Sequence, residues 1–152
     1  MAINTAMVAI HLIFGAVWVG SIAFFTFGVL PLARDGNLER QSFRAMIGRI
    51  VWISRISALA MLVSGSHLMG TREYFDTDVL LETSPGLAVL VMILLWLSLI
   101  VIVELSTRRM KSDVDANLIR QPAKAGLSWF YAATVIGVLL FVDGAILATG
   151  FF

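Results

Sequence analysis

Four long apolar stretches separated by short charged islands set the pattern of this chain. The first runs from about Thr5 to Leu30 without a charge and stops at Pro31, ahead of Arg34. The second goes from about Ile50 to Gly70, interrupted only by Arg55. Pro85-Gly86 opens the third, which continues to about Val103 before Glu104 and Arg108-Arg109, and Gly126 precedes the fourth, from about Leu127 to Thr149. Each stretch is close to the ~20 apolar residues that a hydrocarbon core requires. A helix satisfies every backbone polar group within its own segment, so all four are expected to be helices. The pattern predicts an all-α integral membrane four-helix bundle, up-down-up-down, with one transmembrane domain over residues 1–152 and spans at about 5–30, 50–70, 86–103 and 127–149.

Composition reinforces this class. Of 152 residues, 59% are apolar, above the ~45–50% of soluble domains, and the mean hydropathy is +0.92. The net charge of +1 is divided among loops, so nothing points to nucleic acid or another acidic partner. Cysteine is absent, which excludes disulfides, thiolate metal sites, iron–sulfur clusters and covalently attached haem. Any metal is left to His, Met, Asp or Glu.

The first basic side chain is Arg34, so the charged start of a secretory signal is missing and the chain is expected to begin in the membrane. The loops after the first and third stretches hold Arg34, Arg40, Arg44, Arg49, Arg108, Arg109, Lys111, Arg120 and Lys124, whereas the middle loop holds only Arg72 among Glu73, Asp76, Asp78 and Glu82. The positive-inside rule then puts both termini outside a multi-pass protein of the cell membrane. Trp52 and Trp129 near inner ends, and Tyr74 with Phe75 near an outer one, match an aromatic belt.

The only two histidines, His11 and His67, fall inside separate spans. Counted from the outer ends, their depths differ by ~5 Å at ~1.5 Å per residue. An ionisable group in hydrocarbon is a functional-site hypothesis by default, and imidazole is the commonest metal ligand. Asp143 joins this layer, as does Met92, while Met7 and Met69 lie nearer the outer surface. Met7, His11, Gly15 and Trp18 share one helical face, and the face through Val63, Ser64, His67 and Thr71 is similarly lean. Small side chains there allow either close helix approach or room for a planar cofactor. The structural alternative is that each histidine merely hydrogen-bonds a neighbouring helix and each methionine fills space. Asp143 is expected either to protonate or to find a donor such as a histidine N–H or a helix backbone. Arg55 and Glu104, at the other side of the membrane, read as an ion pair or as a snorkelling arginine. No nucleophile–base pair, phosphate loop or carboxylate pair can be assembled, so hydrolytic chemistry has no support.

His11-Leu12, Trp18-Val19-Gly20 and the closing Pro31 together resemble the first helix of the copper-resistance D (CopD)-like membrane proteins. Arg55-Ile56-Ser57 leading to Ser64-Gly65 is similar to their arginine-led next helix. The likeness covers the first two spans. A similar first helix occurs in the small haem-binding HemJ-type family, whose Asn-Glu-x-Pro stretch in the last helix is missing here. The resemblance implies copper or haem handling, with His11 the position carried over.

Haem and copper make different demands on such a site. A bis-histidine haem needs its ligand helices well apart, whereas copper(I) takes soft thioether and imidazole donors in little space. The absence of a polar conduit across the membrane favours a resident cofactor. The expectation is therefore one b-type haem between the first and second spans in the outer half, with His11 and His67 as axial ligands. Asp143 would stand behind them, Arg72 would meet a propionate, and the role would be electron transfer to a redox partner the sequence does not name. The runner-up is copper binding or transfer at His11, His67, Met7 and Met69. A third reading is a non-catalytic subunit of a homo-oligomer or larger membrane complex.

Overall fold

In the computed structural model, which describes residues 2–116 and 118–150, the four apolar stretches form four antiparallel helical rods and no strand. The first rod is continuous from Ala2 to Asp35. It consists of α1 (Ala2–Phe24), a π-helical turn (Phe25–Val29) and α2 (Leu30–Asp35). The others are α3 (Arg40–Thr71), α5 (Ser84–Asp115) and α6 (Arg120–Thr149), with a short α4 (Thr77–Glu82) on the middle loop. The four rods are each long and apolar enough to cross a membrane, so the chain is a multi-pass, all-α membrane bundle that lies in lipid.

Two boundaries differ from the hydropathy pattern. Pro31 does not stop the first rod. Proline lacks an N–H and its ring collides with the carbonyl four residues back. The preceding π turn widens the helix, Leu30 N–H bonding Phe25 O, and Pro31 then sits in the first turn of α2. At the basic end, α3 begins at Arg40 and α5 ends at Asp115, about ten residues beyond the apolar windows. Hydropathy ends where charge begins, but arginine, lysine and glutamate are good helix formers and continue the rods into the interface.

The core is lopsided. Trp18, Ile22, Phe25 and Leu30 pack with Phe43, Ile47, Leu99, Val103, Leu127 and Phe130 in the basic half of the bundle. Phe25 packs on Phe130 with ring centres 4.8 Å apart and planes tilted by 41°, and Thr26 beside it meets Phe130 O at 3.3 Å and Thr134 Oγ1 at 3.0 Å. Without a hydrophobic force between helices in lipid, such packing and interhelical hydrogen bonds hold the bundle together. Toward the end that carries the termini, no described residue from Ala2 to Phe14 or from Phe141 to Gly150 is buried. That half is held by pairwise contact of α1 with α3 and of α5 with α6.

Candidate functional site

The polar layer of the terminal half is built on the α1/α3 seam. Trp18 Nε1 donates to Ser54 Oγ at 2.8 Å and anchors the register. One turn outward on α1 and two on α3, Gly15 faces Met61, whose Cε would lie 3.6 Å from a Cβ at that glycine. One turn further, His11 Nδ1 meets Ser64 Oγ at 3.0 Å. Ser64 gives its own hydroxyl hydrogen to Ala60 O at 2.7 Å, so its oxygen accepts from His11 Nδ1–H. This favours the tautomer with the hydrogen on Nδ1 and the lone pair on Nε2, with the Met61 backbone as a further hydrogen-bond partner of the ring. Gly65 makes room for the ring: a Cβ there would stand 3.2 Å from His11 Cε1.

His67 occupies the next level outward. Its Nε2 donates to Asn4 Oδ1 at 3.0 Å, a bond at the exposed margin of the seam, which leaves Nδ1 with the lone pair. Asn4 and His11 are two turns apart on α1, Ser64 and His67 one turn apart on α3. The histidines thus share a seam, but each ring reaches across to its own partner rather than to the other ring. Both pairs bridge α1 and α3 directly, and Gly15 and Gly65 draw the two helices together. A macrocycle held between these two helices would require them to part, so the residues present do not fit a haem sandwiched there.

The remaining expected residues are dispersed. Met7 lies one turn outward of His11 on the same stripe of α1, between His11 and Asn4. Met69 follows His67 by two residues, which places it on a different face of α3. Arg72 is exposed just past the end of α3, its N–H capping Met69 O. Val19 packs against Gly137, and this contact sets Asp143 within about two residues, ~3 Å, of the level of His11. Asp143 nonetheless finds no histidine: both imidazole N–H groups are used elsewhere, and Asp143 Oδ2 is buried without a hydrogen-bond partner among the described residues. Among those residues no three His, Asp or Glu side chains gather as a metal-holding group.

Asn4, Ser64 and Met61 complete the seam, and only Ser64 stood out in the sequence, as part of a lean face. Asn4 carried a signal, being an amide at the start of an apolar stretch, but its partner depends on the helix register. At the opposite end the expected ion pair is present, with Arg55 Nη2 2.6 Å from Glu104 Oε1 and Arg108 Nε 2.8 Å from the same oxygen. No family model, curated protein or solved structure matches this chain.

Proposed function

We propose that this is a copper-handling protein of the cell membrane that holds one copper ion on the α1/α3 seam in the outer half of the bilayer. The observation that carries the proposal is the hydrogen-bond chain Ala60 O, Ser64, His11 Nδ1, which presents Nε2 of an intramembrane imidazole as a lone-pair donor. A metal-binding histidine characteristically donates its other ring N–H to a fixed acceptor, which sets tautomer and orientation. His11 would supply Nε2 as the primary donor, and the further donors the seam offers are the Met7 thioether, one turn outward on the same stripe, and His67 Nδ1 at the next level. This soft nitrogen and sulfur set suits copper(I) and needs no separation of the helices. Bound copper would supply ligand exchange or a one-electron change. Ser64 aims the imidazole and Gly65 gives its ring space.

Equilibrium dialysis of the full chain in detergent against copper(I), with a competing chelator, tests this. One copper per chain is expected, with affinity reduced roughly 10–100-fold in Ser64→Ala, since that variant removes only the orienting acceptor. His11→Ala is expected to lose at least as much. A Soret band in the purified protein, abolished by His11→Ala, would overturn the copper reading in favour of haem. Neither metal nor Soret band would leave a packing subunit of a larger membrane complex.

A further inference from the structure

The α3/α5 seam at the basic end carries chemistry that the metal site does not use. Arg44 Nε meets Asp115 Oδ1 at 2.6 Å, and Arg55 meets Glu104 about three turns deeper. Antiparallel register between these two pairs sets Gly48 opposite Lys111 and Val51 opposite Arg108. One groove therefore gathers five cations, Arg40, Arg44, Arg55, Arg108 and Lys111, against two carboxylates, Glu104 and Asp115. Asp115 is committed to Arg44, and Glu104 to both Arg55 and Arg108. Arg40 and Lys111 lie near enough to Asp115 for its charge to act on them, yet neither makes an ion pair among the described residues.

The groove also has space. A cavity of about 330 Å³ is lined by Arg40, Gln41, Arg44, Val114 and Asp115. Beside it Gly48 leaves a notch, since a Cβ built there meets nothing within 4 Å. One turn further toward the bilayer centre on the same stripe, Trp52 is 65% exposed and offers an apolar ring. A surplus of positive charge above an exposed aromatic, between two membrane-spanning helices, complements a molecule with an anionic head and an apolar tail.

We propose that this groove binds the phosphate headgroup of an anionic membrane lipid, with Arg40 and Lys111 as its free contacts and the Gly48 notch as its seat. A soluble polyanion would have no use for the notch or Trp52, and would meet the outward-facing Arg49 and Arg109 as readily. The leaflet is the one that the positive-inside rule assigns to the cytoplasm, where anionic lipids attract basic side chains.

The test uses the full chain in detergent titrated with phosphatidylglycerol against phosphatidylcholine, with retained lipid read by native mass spectrometry. Phosphatidylglycerol is expected to be retained selectively. The double variant Arg40→Gln, Lys111→Gln is expected to weaken it by roughly fivefold per charge removed. Gly48→Leu is expected to weaken it comparably with no change of charge, because the notch is filled without touching the core. Arg49→Gln with Arg109→Gln removes the same charge from exposed positions of the same two helices that face away from the groove and is expected to leave retention nearly unchanged. Equal loss in both double variants, or an unaffected Gly48→Leu, would overturn the site in favour of diffuse attraction. Displacement of the lipid by inorganic phosphate alone would overturn the lipid as occupant.

Discussion

Truncating Trp18 to alanine is expected to lower the unfolding free energy by about 3–5 kcal/mol, as removal of a fully packed indole does elsewhere. Trp18 has 0% of its surface exposed and sits where α1 meets α3 and the core begins. In lipid the exposed alternative is nearly as apolar as the core, so the loss comes from dispersion contacts and from the cavity rather than from hydration. The bond to Ser54 Oγ contributes a smaller share. Trp18→Phe keeps most of the volume and deletes that bond, and is expected to cost about 0.6–1.7 kcal/mol, the range for interhelical bonds in membranes. Reversible unfolding in mixed micelles measures both. Equal effects of the two substitutions would mean that the hydrogen bond, and not packing, holds the seam.

The second large effect is expected from Gly86→Ala. This glycine lies in the first turn of α5, under the short helix α4. A methyl group there runs into the backbone of α4: it clashes most severely with Val79 O, and stands 2.5 Å from Leu80 O and 2.7 Å from Leu80 Cα. Side chains can rotate away from such a clash, but backbone cannot, so α4 must lift from α5 or the start of α5 must unwind. The cost is expected to exceed the ~1–3 kcal/mol of ordinary overpacking. Because α4 lies on a loop, the expected result is local: rapid proteolysis between Arg72 and Thr83 while the four rods stay folded. Thr83, which caps α5 by accepting Gly86 N–H at 3.1 Å and bonds back to Val79 O, would lose its geometry at the same time. Unchanged protease resistance would show that α4 is not docked through this glycine. Gly137 makes a useful contrast, since a Cβ there meets only Val19 side-chain atoms at 2.8 Å and 3.0 Å.

The positions of the spans were legible because a bilayer imposes one requirement on every segment that crosses it, and hydropathy reports that requirement directly. The ends of the rods were not. Arg40 to Arg49 and Glu104 to Asp115 are charged and so fall outside any apolar window, yet they remain helical and cross-braced by Arg44–Asp115 and Arg55–Glu104. Pro31 carried a stop signal that the π turn at Phe25–Val29 cancels, and a π turn has no simple sequence signature.

The candidate site divides in the same way. Sequence singled out His11 and His67 as the chain's intramembrane imidazoles and put them at similar depth, because depth follows from counting along a rigid rod. It also placed Ser64 on a lean face beside His67. It did not pair His11 with Ser64 or His67 with Asn4, nor reveal that Asp143 Oδ2 stands without a partner. Sequence by itself determined the class, the number of crossings and the depth of each polar group, since these depend only on what each segment demands of its solvent. The tertiary structure alone decided which polar groups meet. One residue of helix turns a side chain by about 100°, so partners depend on the rotation and register of two rods, and those are set by where Gly15, Trp18 and Gly65 let them touch.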